Sequence, residues 1–176
     1  MTSPVFVNPP HPATLDVEQL LASCSATKGR STGPGGQHRN KVETKVTVLH
    51  EPTGVSAQAG ERRSATENHK VAIFRLRLAL ATHVRCGVPI GEIRSELWKR
   101  RCTADGRIVC NPTHTDFPAL LAEALDVIAA ASLDVPKAAL RLCCTTSQLI
   151  KLVKEHPHAV EVLNRARYAA GMSPLH

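Results

Sequence analysis

The 176 residues are enough for one full core or two small ones, and no apolar run among them reaches membrane-spanning length. The start, Met1-Thr2-Ser3-Pro4, lacks the charged and apolar regions of a secretion signal, so a cytoplasmic protein is expected. The formal net charge of +7 is unevenly placed: residues 1–27 hold two acids and no Lys or Arg, residues 28–101 hold 15 Lys/Arg against 6 Asp/Glu, and residues 102–176 hold seven of each. All the excess therefore falls in the middle segment, the electrostatic footprint of a module that meets a polyanion. Aromatic residues make up only 3%, which argues against base stacking on an aromatic platform. Six cysteines without regular spacing read as reduced thiols.

Residues 1–15 are proline-rich and are expected to form a flexible tail. Asp16 opens a short helix through Val17, Leu20 and Leu21, with Gln19 three residues after the cap. Cys24 to Arg30 reads as a strand. It leads into Ser31-Thr32-Gly33-Pro34-Gly35-Gly36-Gln37-His38-Arg39-Asn40-Lys41. Glycine without a Cβ lets another molecule come close, and the proline between glycines stiffens the loop. Gln37 brings two donors and an acceptor but no charge. No Gly-Lys-Ser/Thr follows, so this is not a phosphate-cradling loop, and on composition alone it reads equally well as a turn.

Alternation at Val46 and Val48, and again at Val55, Ala57 and Ala59, predicts a hairpin joined by Pro52-Thr53-Gly54. A helix is predicted from Ser64, with Glu67 in the capping-box position and an apolar stripe of Val71, Phe74, Leu78 and Ala81. A connector spans 87–115, beginning at Gly87-Val88-Pro89. It holds a short helix around Ile93, Leu97 and Trp98 and a turn at Asp105-Gly106. From 116 to 176 the pattern is all helical, a small bundle with a low-specificity resemblance to a helix-turn-helix unit. Its first helix carries Phe117, Leu121, Leu125 and Ile128 on one stripe. A second starts at Asp134-Val135-Pro136, a third runs through Leu149, Ile150 and Val153, and a fourth covers His158 to Ala170. The fold class is thus α+β: a small mixed β-sheet with one packed helix and an exposed glycine loop over 16–86, followed by an all-α segment.

The order Gly-Pro-Gly-Gly-Gln with Asn40-Lys41, then Pro52-Thr53-Gly54, then Glu61-Arg62-Arg63-Ser64 and a basic helix, is highly specific. From about Ser23 to His83 the chain resembles the catalytic domain of class I peptide chain release factors and of small release-factor-like ribosome rescue hydrolases. The resemblance implies a ribosome-dependent peptidyl-tRNA hydrolase, a carboxylic ester hydrolase acting in translation termination or in rescue of stalled ribosomes. Gln37 inherits the catalytic role, and Gly35 and Gly36 supply the slim backbone that enters the peptidyl-transferase cavity. Arg39, Lys41, Lys45, Arg62, Arg63 and Lys70 would meet ribosomal RNA phosphates, which position without reading sequence. For Arg62 and Arg63 the alternative is pairing with Glu61 and Glu67. His38 follows the family pattern in position and is expected to be a polar loop contact rather than a proton-transfer group. No cofactor and no metal are implied, and a monomer is expected; His83, Cys86, Cys102, Cys110 and His114 contain only one tightly spaced pair, where structural zinc uses two.

The sequence departs from that family in two ways. These 176 residues leave no room for a codon-reading domain, so codon-independent action is expected. Tyr168 to His176 contains no Lys or Arg, where the rescue hydrolases carry a basic tail. Two alternatives stay open: a non-hydrolytic ribosome- or RNA-binding module that keeps the fold, and a DNA-binding regulator, against which the zero net charge of 102–176 counts. That zero charge also predicts little RNA affinity in the helical segment, leaving it to orient the catalytic domain, to engage a ribosomal protein, or to stabilise the first domain.

Overall fold

The computed structural model describes residues 4–29 and 43–175. A three-stranded antiparallel sheet is built from β2 (Cys24–Gly29), β3 (Lys45–His50) and β4 (Val55–Ala59) in that order. Alternation does the work in β3. Val46, Val48 and His50 are buried while the residues between them are half-exposed, so the sheet has one core face. The β3–β4 turn closes with the Thr53 and Gly54 amides both donating to the His50 carbonyl (3.3 and 2.9 Å), and Gly54 takes φ +68°, a region open to glycine. Before the sheet, α1 (Val17–Leu21) is capped by Asp16, whose carboxylate accepts from the Gln19 amide at 2.8 Å.

Helix α2 (Ala65–His83) lies across the core face, capped by Ser64, which accepts from the Glu67 amide. Its buried stripe is Asn68, Ala72, Leu76 and Leu80, with Ile73 and Ala81 beside it. Of the expected stripe only Ala81 is fully buried; Val71, Phe74 and Leu78 are partly exposed. Apolar residues run round most of this helix, so spacing alone does not choose its rotation. The sheet on one side and a second helix on the other choose it.

That second helix is α4 (Phe117–Ala130). Phe117, Leu121, Leu125 and Ile128 are all buried, but so are Leu120, Ala122, Ala124 and Val127. A helix apolar all round is a central one. α4 packs on α2 with one face and on α5 (Val135–Arg141) and α6 (Thr146–Lys154) with another. One buried cluster therefore runs from Ala13 to Leu163, with no break in packing at 116. Helix α3 (Glu96–Arg101) joins it through Trp98, fully buried, whose indole donates to the Leu142 carbonyl at 2.9 Å. Helix α7 (Pro157–Ala169) closes the chain's helical part.

The first residues also differ from the expected tail. Strand β1 (Val5–Val7) pairs in parallel with β5 (Val84–Cys86), and Pro12–Thr14 form a 3₁₀ turn. Burial fixes this segment. His11 is 5% exposed; its Nδ1 accepts from the Ala13 amide at 3.0 Å, and its Nε2 lies 3.3 Å from the Val84 carbonyl. Arg77 of α2 donates to the Ala13 carbonyl and, at 3.0 Å, to the Thr115 carbonyl, tying the start of the chain to the start of α4.

Two buried titratable groups oppose each other in pH. Burial lowers His11 to about 4, so its contribution to stability is lost as pH falls below about 6.5. Burial raises the Asp126 carboxyl from 3.8 to about 7, against the Cys86 amide it accepts from at 3.1 Å and the nearby Arg85 charge. A raised acid favours the protonated folded form, so stability is lost as pH rises from about 4 through about 7. Asp126→Asn keeps an acceptor for Cys86 and removes the charge. The variant is expected to be more stable than wild type by about 4 kcal/mol at pH 8 and nearly equal to it at pH 4. Thermal melts at both values check this; the same difference at both would contradict it.

Candidate active site and nucleic-acid interface

Gly35, Gly36, Gln37, Arg39 and Lys41 lie outside the described residues. The frame that carries their loop is described on both sides. β2 and β3 are antiparallel neighbours whose last pair is Gly29 with Lys45. The chain between them thus leaves and returns at one end of the sheet, on a base fixed by the ladder.

Asn68 locks the returning limb. It is completely buried on α2, one turn beyond the Ser64 cap. Its Nδ2 donates to the Thr44 carbonyl at 2.6 Å and to the Arg62 carbonyl at 2.9 Å, while its Oδ1 accepts from the Arg62 amide at 2.9 Å. Two carbonyls need two donors and one amide needs an acceptor, so only an uncharged carboxamide, in one orientation, satisfies all three. Asn68 was not among the expected site residues. The available signal was a lone amide at i+4 spacing with Ala72, Leu76 and Leu80 on an otherwise apolar stripe.

The described cationic candidates gather around this clasp. Lys45 is the first residue of β3, and its stem lies along Gly60, where a Cβ would come within 3.3 Å of the Lys45 Cβ. Arg62 and Arg63 are exposed on the short link between β4 and α2. Lys70 is exposed near the start of α2, and Lys28, exposed on β2 beside Gly29, adds a cation that the sequence reading did not single out.

Neither arginine of the link pairs with Glu61 or Glu67 among the described residues. Glu61 is engaged elsewhere: it accepts from the Gly60 amide at 2.8 Å and forms a hydrogen-bonded ion pair with Arg75, which also donates to the Gln58 carbonyl at 2.9 Å. Arg75 holds the Glu61 carboxyl at about 2. The acid in the Glu-Arg-Arg-Ser element therefore braces the link, and its two arginines face solvent.

No metal centre assembles at the candidate ligands. Among the described residues no three His, Cys, Asp or Glu side chains come together to hold an ion. His83 contacts His158, with 3.1 Å between Nε2 atoms, whereas His114 lies beside Arg101 and Asp116. Burial pushes the thiols of Cys86 and Cys144 up to about 11 and 12, which keeps them protonated and inert. Among the described residues no helix is long and apolar enough to cross a membrane.

Comparison with known proteins places this frame. Residues 20–96 match the RF-1 domain. The chain is 37% identical over 79 residues to peptide chain release factor 2 of Variovorax paradoxus, covering 45% of this chain and 22% of that protein. It is 35% identical over 83 residues to peptide chain release factor 1 of Acidiphilium cryptum, covering 47% and 24%. With peptide chain release factor 2 of Neisseria meningitidis the identity is 36% over 76 residues, covering 43% and 21%. The matched segment spans less than a quarter of each relative's length.

Proposed function

We infer that this chain, which belongs through residues 20–96 to the RF-1 domain family of class I peptide chain release factors, hydrolyses the ester of peptidyl-tRNA on the ribosome without reading a codon. Gln37 places the attacking water at the ester carbonyl and offers its backbone N–H to the oxygen on which charge develops. The bond from that carbon to the terminal ribose oxygen breaks, and the proton lost by the water goes to that oxygen, which leaves as the ribose hydroxyl. Gly35 and Gly36 keep the loop slim, and the ribosome and tRNA supply the remaining groups. The action is independent of a codon, as in rescue of stalled ribosomes. Beyond the matched domain, helices α4 to α7 contribute buried residues to the same core.

The observation that carries the reading is the Asn68 clasp. It joins Thr44, on the loop's returning limb, to Arg62, so that the loop and the cations meant for RNA phosphates share one rigid base. Arg39 and Lys41 within the loop, with Lys45, Arg62, Arg63 and Lys70 around its base, hold the domain on the ribosomal RNA backbone.

Binding to vacant ribosomes should then weaken steeply with salt. Arg62→Ala and Arg63→Ala should each flatten the slope of log K against log salt by slightly less than one, the counterion released per phosphate. Sedimentation with ribosomes over a salt series measures it. A salt-independent affinity, or slopes unchanged in both variants, would contradict the phosphate assignment.

A further inference from the structure

The zero net charge of residues 102–176 hides a segregation that the structure exposes. Six of the seven acids of this segment are engaged by neighbouring groups, with Asp126 buried and Asp116 and Glu123 half-buried. Asp116 pairs with Arg101 at 2.7 Å, and Glu123 accepts from the amide and hydroxyl of Ser95 at 2.8 and 2.5 Å. Asp126 is buried against the Cys86 amide, Asp134 caps α5 through the Lys137 amide at 2.9 Å, and Asp105 binds Thr103 within its turn. Glu161 reaches His158 at 3.3 Å.

The cations are placed differently. Lys151 and Lys154 are exposed on α6, and neither makes a side-chain hydrogen bond or ion pair among the described residues. They line a shallow groove of about 510 Å³ with Ser147, Ile150 and one acid, Glu155. Ser147, Lys151 and Lys154 follow at i, i+4 and i+7, so all three share a helix face. Leu149, Leu152 and Val153 hold the opposite face in the core.

The helix is rigidly mounted. Thr145 caps it by accepting from the Gln148 amide at 3.2 Å, and the Thr145 amide donates to Gly106 at 3.1 Å. Gly106, at φ +77°, packs so close that a Cβ would lie 3.1 Å from the Thr145 nitrogen. Lys137 and Arg141 add two further cations, without side-chain partners among the described residues, on α5, which packs against α6.

We propose that the exposed face of α6, formed by Ser147, Lys151 and Lys154, is a second RNA-binding surface that engages the phosphate backbone of double-stranded RNA. Lysine ammoniums and a hydroxyl suit phosphate oxygens and read no base. The scarcity of aromatics removes the stacking platforms that single strands use, whereas an A-form duplex is held by shape and backbone contacts. The choice of RNA over DNA rests on the ribosomal reading above; the phosphate contact does not.

The test is a fluorescence anisotropy titration of the full chain with a short labelled RNA duplex, and with the DNA duplex of the same sequence, over a salt series. Lys151→Ala/Lys154→Ala should weaken RNA binding about tenfold and flatten the salt slope by about two, with the melting temperature unchanged because both side chains are exposed. Ser147→Asp, which adds repulsion to the same face, should weaken binding as well. Unchanged affinity and slope in the lysine variant overturns the proposal, with all binding then assigned to the loop face if Arg62→Ala/Arg63→Ala abolishes it. Tighter wild-type binding to the DNA duplex overturns the assignment to RNA. Gln37→Ala should leave duplex affinity intact while lowering peptide release about a hundredfold or more, so failure of the hydrolytic reading registers separately.

Discussion

Gln37→Ala is expected to lower peptide release from ribosomes about a hundredfold or more while leaving ribosome affinity nearly intact. That is the scale on which a single donor to a developing oxyanion acts in a water-excluded site. A glutamine carries no ionisable group, so its loss removes positioning without altering the charge on which RNA affinity depends. The two readouts divide the candidate functions. A catalytic Gln37 gives normal sedimentation with ribosomes and little released peptide. A non-hydrolytic binding module gives no release from either form. Release at the wild-type rate from the variant would remove Gln37 from the chemistry.

Asn68→Ala should be the most damaging substitution away from the loop. It strips the partner from the Thr44 carbonyl and from both backbone groups of Arg62, at a site with no solvent exposure of the asparagine. A buried polar group left without its partner costs roughly 1–3 kcal/mol, and the three here share one environment, so about 3 kcal/mol is expected for the set. In a domain of this size the melting temperature should fall by roughly 10 °C. Asn68→Asp should not rescue, since a carboxylate cannot donate to two carbonyls. Near-wild-type melting of Asn68→Ala would show that the clasp is not what fixes the loop's base.

Local chemistry made much of this legible in the sequence. Ser64 with Glu67, Asp16 with Gln19, the alternation of Val46 and Val48, and Pro52-Thr53-Gly54 each state a local geometry, and each appears in the fold. The class I release-factor motif order was equally readable, and residues 20–96 match that domain. What the chain did not reveal depends on contacts distant in sequence. The rotation of α2 is decided by partners on two sides, which a stripe of Val71, Phe74 and Leu78 does not reveal. The pairing of Val5–Val7 with Val84–Cys86 joins three-residue strands too short to carry alternation. Asn68 looked like an ordinary helical polar residue because its partners, Thr44 and Arg62, lie 24 and 6 positions away. A sum of formal charges over residues 102–176 likewise does not record which carboxylates cap helices or accept from buried amides.

The central claim is ribosome-dependent, codon-independent ester hydrolysis, and one measurement meets it directly. Ribosomes carrying labelled peptidyl-tRNA on a message that ends in the peptidyl site are mixed with the full chain, and released peptide is followed over time beside the same peptidyl-tRNA free in solution. The account predicts rapid release on the ribosome without any stop codon, and negligible hydrolysis off it. No release from these ribosomes, or equal hydrolysis of the free ester, would contradict it.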